Sequence, residues 1–296
     1  MELLLDFVIV GLSIGIVYGL VALGISLIYS GLDIVHFAHG EVYMIGAFIG
    51  IAVVKINGIP YFGALVIAMI ITGIVGVFIE RVFYRRLTRG GGGYTVAGMG
   101  MIICGFGMSV ALQNVAYLIW GASPHPYPVN FGMPIFMGNI ALPKPYLYIL
   151  ITAIILMVVL HTFLTRSKLG LAVRAVAYNK DTSYLMGINV PFMISLIFGV
   201  ACAMACVAGV LIGPINYVQV EMGYLMLLKA FAAAVVGGFG SLPGALLGGI
   251  LVGVFETLCA GYLSASHKDI YAFLLLIFVL MIRPTGILGI LVKIKA

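Results

Sequence analysis

Charged side chains are scarce in this sequence of 296 residues, since Asp, Glu, Lys and Arg together make up only 8% of it. Soluble domains contain about 25% charged residues, which keep the folded surface hydrated. Hydrophobic residues make up 64% of the chain, so polar side chains cannot cover a water-exposed fold of this size. The composition therefore excludes a soluble enzyme, a disordered chain and a nucleic-acid-binding protein, and it predicts a membrane protein.

Cysteine is also rare, and the ATP-binding P-loop motif does not occur. The four cysteines, at positions 104, 202, 206 and 259, lie in apolar runs without the spacing of a secreted disulfide framework. Cys202 and Cys206 share a helix face, which fits either a metal or redox pair or small packing residues, and we favour packing. Because G-x-x-x-x-G-K-[ST] is missing, the chain is not expected to bind ATP itself. We predict no catalytic residue, no metal and no cofactor in this chain.

Uncharged apolar runs predict the spanning helices, because the hydrocarbon core takes about 20 residues of helix. The first run follows Glu2 and Asp6 without the basic segment of a cleavable signal peptide, so it is interpreted as a spanning helix. The predicted runs are 7–30, 41–57, 61–80, 95–120, 146–165, 191–212, 225–260 and 270–290. Run 225–260 is too long for one helix and is broken at 237–244, so two limbs are expected, 225–239 and 243–260.

The basic residues predict which side each loop faces. Eleven of the fifteen follow the third run, follow the fifth run or end the chain: Arg81, Arg85, Arg86, Arg89, Arg166, Lys168, Arg174, Lys180, Arg283, Lys293 and Lys295. Basic loops stay cytoplasmic, which leaves Lys55, Lys144, Lys229 and Lys268 near the other face. The prediction is an all-α polytopic membrane protein with about eight spanning helices and one or two broken or re-entrant segments. Its N-terminus is expected outside and its C-terminus in the cytoplasm.

Two loops are long enough to have structure of their own. Residues 121–145 are rich in proline and aromatic residues and fall outside, where they could form a small lid or docking surface. Residues 166–190 fall inside, and apolar residues recur there at helical spacing: Leu169, Val173, Val176 and Ala177. This pattern predicts a short amphipathic helix at the cytoplasmic surface, which either docks on a partner or lies on lipid.

Two interruptions of the apolar sequence are candidates for a transport pathway. The first contains His39 and Glu41, and the second contains Gly240, Ser241 and Pro243. Irregular backbone within a membrane is tolerated only where protein or a water-filled cavity satisfies it, so both are predicted to lie near one another beside the solute route. The glycine spacing that follows each break indicates a weak internal repeat or simply close helix packing. A metal site at His36 and His39, or a serine nucleophile at Ser241, lacks the required motif.

Four stretches along the chain resemble the permease subunits of bacterial branched-chain amino acid ABC importers, and most closely the smaller of their two permeases. They are D-I-V-H-F-A-H-G-E-V-Y-M-I-G-A-F, S-K-L-G-L-A-V-R-A-V-A-Y-N-K-D-T-S-Y-L-M-G-I-N, K-A-F-A-A-A-V-V-G-G-F-G-S-L-P-G-A-L-L-G-G and R-P-T-G-I-L-G. The resemblance implies one permease domain, residues 1–296, in the bacterial cytoplasmic (inner) membrane.

The resemblance also implies partners and a role for loop 166–190. A second homologous permease, two cytoplasmic ATPase subunits that use ATP, and an external solute-binding protein are expected. The amphipathic helix would be the coupling helix that docks on the ATPase, and five residues match its motif: Gly170, Arg174, Ala175, Asn179 and Gly187. Permeases for urea, short-chain amides and other small solutes, a passive channel, and an intramembrane enzyme are the alternatives.

The charge distribution makes a testable prediction of topology. In a variant without the native cysteines, single cysteines at positions 85 and 180 should react with a membrane-impermeant maleimide only from the cytoplasmic side. A cysteine at position 144 should react only from outside, because basic residues are retained in the cytoplasm. Reaction of positions 85 and 144 from the same side would contradict the predicted topology.

Overall fold

A computed structural model describes residues 2–56, 59–88, 94–137 and 140–289. The glycine run 90–93 and two basic residues of the C-terminal cluster, Lys293 and Lys295, lie outside the described residues. The helices are α1 (Glu2–Leu32), α2 (His39–Val54), α3 (Tyr61–Ile79), α4 (Arg85–Thr88), α5 (Tyr94–Trp120), α6 (Lys144–Arg166), α7 (Lys168–Tyr178), α8 (Lys180–Leu185), α9 (Val190–Ile212), α10 (Met222–Gly237), α11 (Leu242–Tyr262) and α12 (Lys268–Ile282). A π-helical turn, Glu80–Tyr84, joins α3 to α4, and a 3₁₀ turn, Ala265–His267, precedes α12.

The described helices confirm a polytopic membrane protein. Seven are long and apolar enough to cross a membrane, and α2 and α10 are shorter apolar helices of 16 residues each. The predicted limbs of run 225–260 are α10 and α11, separated at 238–241. Loop 121–145 contains a small antiparallel hairpin of β1 (Ile135–Met137) and β2 (Ile140–Leu142), and His125 forms a backbone bridge to Val218.

Helix α1 lies at the centre of the fold and packs most extensively against α11. Glycines form this contact: a Cβ added at Gly253 would overlap the backbone of Gly15, and one added at Gly249 would overlap the backbone of Gly19. Small residues at four-residue spacing allow two backbones to approach this closely, and the gain is van der Waals packing, since lipid supplies no hydrophobic drive between helices. The glycine spacing after the second break therefore serves helix packing.

Helix α2 begins inside the fold. The ring of His39 lies against Gly24 of α1, and the same glycine faces the backbone carbonyl of Ala201 in α9. Gly24 is eight residues before the end of α1, which corresponds to a depth of roughly 12 Å at 1.5 Å per residue. After Asp33, whose φ of 59° turns the chain, segment 34–38 folds back into the helix bundle. The first interruption is thus a re-entrant segment whose backbone is covered by protein.

The second interruption is a tight turn between α10 and α11. Gly238 (φ 109°) and Gly240 (φ 82°) adopt backbone conformations that side chains disfavour. Ser241 caps α11 by accepting a hydrogen bond from the amide of Gly244 at 3.2 Å. Pro243 occupies the first turn of α11 and is exposed, a position where its missing N–H costs nothing.

The C-terminal residues cover this turn. The amide of Ile287 donates to the carbonyl of Val236, and the amide of Leu288 donates to the carbonyl of Gly237, both at 2.9 Å. These two carbonyls lie at the end of α10, where no further helical turn can satisfy them. The R-P-T-G-I-L-G stretch therefore completes the hydrogen bonding of the break.

Loop 166–190 forms two helices rather than the single one predicted. The chain is extended at Asn179 (φ −159°, ψ 113°), whose side chain accepts from the amide of Thr182 and starts α8. Of the apolar residues at helical spacing, Val173 and Val176 are buried, Ala177 is half-buried and Leu169 is exposed. Leu169 is not needed for packing here, because Gly170, one position on, lies against the end of α6.

The α1–α11 contact predicts a stability difference between two glycine substitutions. Gly253→Val should lower the free energy of unfolding by about 1–3 kcal/mol or prevent folding, because its side chain would overlap the α1 backbone. Gly107→Val in α5 is the matched control, since the space around Gly107 is open. Thermal unfolding of the purified variants in detergent is the measurement. Equal melting temperatures for the two variants would contradict the packing described.

Candidate functional site

A cavity of about 610 Å³ lies among α1, α2, α6, α10, α11 and α12, on the side of the molecule that holds loop 213–221. This is the side opposite Arg85 and loop 166–190. Its walls are mainly apolar and aromatic: Ile14, Tyr43, Tyr146, Ile212, Met222, Leu225 and Met226. Pockets for small molecules have volumes of about 300–1,000 Å³ and mix such walls with a few polar groups. The cavity is therefore of a suitable size for a small solute.

Charged side chains from three helices meet in this cavity. Nζ of Lys229 (α10) lies 2.7 Å from Oε1 of Glu256 (α11) and 2.6 Å from Oδ1 of Asp269 (α12). The hydroxyl of Tyr18 (α1) accepts from Lys229 at 3.2 Å and donates to Glu256 Oε1 at 3.3 Å. We call Tyr18, Lys229, Glu256 and Asp269 the charged cluster. Lys229 and Glu256 are buried, and buried ionisable residues in membrane segments generally mark transport routes.

Sequence reasoning missed the charged cluster. It placed Lys229 near the outer face and did not single out Glu256, but α10 and α11 pack side by side and bring the two together. Lys229 lies two turns inside α10, not at its end. The one signal in the sequence was an ionisable residue within each of two apolar helices, because such residues need a partner in the membrane. The spacing of Lys229 and Glu256 along the chain does not indicate which residue each of them pairs with.

The predicted pathway residues around His39 and Glu41 are buried at the start of α2. Glu41 accepts a hydrogen bond from the hydroxyl of Ser109 at 3.3 Å and lies beside the backbone of Gly223, where α10 begins. Nδ1 of His36 lies 2.6 Å from the hydroxyl of Tyr84. Within the described residues, no three His, Cys, Asp or Glu side chains are grouped closely enough to hold a metal ion. The structure therefore shows His36 and Glu41 linking α2 to neighbouring helices.

The other predicted pathway residues, Gly240, Ser241 and Pro243, lie in or next to the turn between α10 and α11, near a different part of α1 from the part that His39 contacts. Gly240 faces the ring of Tyr29, near the end of α1, whereas His39 packs on Gly24. Ser241 is engaged as the cap of α11, and Pro243 is exposed. Both interruptions thus contact α1 within a few residues of each other. That His39, Glu41, Gly240, Ser241 and Pro243 border one solute route stays a prediction.

A second buried ion pair lies on the basic side of the fold. Arg85 contacts Glu80 at 2.9 Å and also donates to the backbone carbonyl of Pro191 and the hydroxyl of Ser195. Ser195 in turn donates to Glu80. Glu80 is buried, so its charge requires these partners. The cluster joins the end of α3 to the start of α9, directly after loop 166–190.

Loop 166–190 presents an exposed groove of about 440 Å³. Of the five predicted coupling residues, Ala175 and Asn179 line this groove, together with Leu171, Ala172 and Met186. Gly170 is buried against the carbonyl of Phe163 at the end of α6, and exposed Arg174 reaches towards the carbonyl of Thr165. Gly187 has a φ of 80° just after α8. Ala175 and Asn179 thus form part of the groove, Gly170 and Arg174 contact α6, and Gly187 turns the chain after α8.

The groove is surrounded by apolar side chains that are not buried within this chain. Tyr178 is 94% exposed, Leu185 is 85% exposed and Met186 is 77% exposed. At its edge, Lys180 forms an ion pair with Asp33 at 2.6 Å, which connects the loop to the end of α1. An apolar surface of this kind on a loop outside the spanning helices is typical of a protein–protein contact.

Residues 7–282 match the family described as "Branched-chain amino acid transport system / permease component". The chain belongs to this family. It is 38% identical to the high-affinity branched-chain amino acid transport system permease protein BraD of Pseudomonas aeruginosa, over 94% of each chain. It is 37% identical to the permease protein LivH of Escherichia coli K12, over 94% of this chain and 93% of LivH. The permease is accordingly a multi-pass protein of the inner membrane and a component of a transport system.

One solved structure is similar in outline. The chain titled "PsaBC from Streptococcus pneumoniae in complex with Fab" is 15% identical to the permease, with a TM-score of 0.48 over 96% of this chain and 93% of that one.

The geometry of the two interruptions predicts unequal effects on transport. Glu41→Gln should reduce uptake only moderately, because an amide oxygen can still accept the hydrogen bond of Ser109. Gly240→Val should reduce it more, because a β-branched residue is strained at a φ of 82°. Uptake at equal expression in the membrane is the measurement. Loss of uptake in Glu41→Gln with normal uptake in Gly240→Val would show that the carboxylate itself acts on the solute.

Proposed function

We propose that the permease is the membrane-spanning subunit of an ATP-driven importer for amino acids, and that its solutes are the branched-chain ones, leucine, isoleucine and valine. The observation that carries this proposal is the exposed apolar groove of loop 166–190 on a membrane domain without an ATP-binding motif. Transport against a gradient needs an energy source, so a separate ATPase must act on this chain through a surface that it can grip. The groove is such a surface.

The contacts of the loop support a coupling role. Gly170 packs on the end of α6, Lys180 pairs with Asp33 at the end of α1, and Asn189 starts α9 by accepting from the amide of Phe192. A force applied to α7 and α8 would therefore be transmitted to α6, α1 and α9 through these short connections. An interfacial helix lying on lipid would not need to be fixed to three helices.

The cavity on the opposite side supports the choice of solute class. Its apolar walls suit an aliphatic side chain, and its charged cluster offers polar partners to the main-chain end of an amino acid. The names of BraD and LivH give the same solute class for those relatives. We further propose that the complete importer contains a second homologous permease, two ATPase subunits, one of which docks at the groove, and an external binding protein that delivers the solute.

Two substitutions at the groove test this function: Ala175 lines the groove, and exposed Arg174 precedes it in α7. Arg174→Glu and Ala175→Trp should abolish ATP-driven uptake of leucine by the assembled transporter in proteoliposomes, because they place a reversed charge or a bulky ring at the docking surface. Both variants should still insert in the membrane, and the ATPase should no longer co-purify with them. Lys55→Glu, an exposed charge reversal just after α2, is the matched control and should transport normally.

Two results would overturn the proposal. Normal uptake and co-purification in both groove variants would show that loop 166–190 is not the coupling element. Leucine flux through the wild-type permease alone, without ATP or partner subunits, would show a passive facilitator instead.

A further inference from the structure

We propose that the charged cluster on the floor of the cavity is a binding site for the ammonium group of the solute, with Glu256 and Asp269 as its acceptors. The proposal rests on the proposed function and names the part of the solute that this chain itself recognises. The main-chain carboxylate of the solute is not expected to bind Lys229.

Lys229 is already engaged by partners within the chain. Its ammonium donates hydrogen bonds to Glu256 Oε1 at 2.7 Å and to the Tyr18 hydroxyl at 3.2 Å, and its charge is paired with Asp269 Oδ1 at 2.6 Å. A solute carboxylate that approached Lys229 would also approach the two carboxylates of Glu256 and Asp269. A carboxylate site is therefore disfavoured.

The acceptors of the cluster are not all in use. Glu256 Oε2 is buried and, among the described residues, has no hydrogen-bond partner. Glu256 is only 5% exposed, and an unsatisfied buried acceptor costs about 1–3 kcal/mol, more when it is charged. Because Glu256 lines the cavity, a rotation of its carboxylate would turn Oε2 towards the cavity, where a solute ammonium would supply the missing donor. This orphaned oxygen is the observation that points to a cationic ligand.

The charge balance favours the same ligand. One lysine faces two carboxylates, so the cluster has a net charge of −1, and an ammonium group would neutralise it. Lys268 also lines the cavity, but it is exposed and, within the described residues, makes no ion pair with the cluster. Solvent screens an exposed charge more strongly than a buried one. The electrostatic potential around Glu256 is therefore negative.

The walls define the rest of the ligand. Ile14, Ile212, Leu225 and Met226 surround the space above the cluster, and they offer no charged partner to a polar side chain. Together with the floor, they fit a small primary amine with an aliphatic chain. An aliphatic acid without the amine would bring a second negative charge to a cluster that already has one, so the cavity should reject it.

Cysteine protection in the complete transporter tests this site. Asn216 lines the cavity and is exposed, so Asn216→Cys, in a variant without the native cysteines, reports on occupancy through its rate of reaction with a maleimide. The probes are leucine, 3-methylbutylamine, which lacks the carboxylate, and 4-methylpentanoate, which lacks the amine. Leucine and 3-methylbutylamine should slow the reaction, and 4-methylpentanoate should not.

Substitution of Glu256 should remove this pattern. With Glu256→Gln, about tenfold or more leucine should be needed for the same protection, as expected for the loss of a charge-assisted hydrogen bond. Glu221→Gln is the matched control, because Glu221 is an exposed carboxylate at the start of α10 that pairs with Tyr117 outside the cavity lining. If Glu256→Gln does not assemble, Asp269→Asn replaces it, since Asp269 is 47% exposed and its loss should be tolerated.

The possible results separate this inference from the proposed function. Protection by 4-methylpentanoate but not by 3-methylbutylamine, protection by none of the probes, or full protection of an assembled Glu256→Gln variant would each overturn the ammonium site. If the cluster has a purely structural role, the assembled Glu256→Gln variant should be fully protected by leucine and should have a lower melting temperature. Amine-dependent protection without ATP-driven leucine uptake in the wild type would support the site and contradict the importer.

Discussion

The fold depends on one constraint: backbone amides and carbonyls inside a membrane have no water to bind, so every interruption of a helix must be satisfied by protein. The turn between α10 and α11 meets this constraint through Ile287 and Leu288, whose amides bind the carbonyls at the end of α10. The segment before α2 meets it by folding into the bundle against α1 and α9. Each interruption is therefore held in place by an element far away in the sequence.

Close helix packing follows from the same constraint. Covered interruptions require neighbouring backbones to approach, and glycine allows this in α1, α2, α10 and α11. Gly40 lies directly on the backbone of Gly223, and Gly237 lies on that of Gly244. The starts of the short helices α2 and α10 are thus held against each other inside the fold and not at its surface. As a consequence, α10 brings Lys229 to the middle of the fold and not to a loop.

Helix α1 extends from the charged cluster to loop 166–190. Asp33, directly after α1, is paired with Lys180 of the loop, and Tyr18 lies in the charged cluster. Tyr18 precedes Leu32, the end of α1, by fourteen residues, which is a distance of roughly 21 Å. If loop 166–190 is the coupling element proposed above, α1 is a direct structural connection between it and the cavity. The Glu80–Arg85–Ser195 cluster ties α9 and α3 to the same region.

The sequence alone was sufficient to predict the membrane class, the division of run 225–260 into α10 and α11, and the amphipathic character of loop 166–190. These features depend on local composition: apolar runs, glycine breaks and helical spacing are readable residue by residue. Four motifs also indicate the permease family from the sequence alone, because they resemble those of its members. The break of loop 166–190 at Asn179 and the exposure of Leu169 were not predicted, because the packing of Gly170 on α6 decides which face of α7 is buried.

The charged cluster was decided by the tertiary structure alone. Lys229, Glu256 and Asp269 are isolated ions in the sequence, and periodicity says only that each of the first two needs a partner. Which residues pair depends on the depth at which α10 begins and on the way α11 and α12 pack beside it. Those depths depend on contacts between glycines of one helix and the backbone of another, which are distant in the sequence. Neither composition nor residue spacing predicts them.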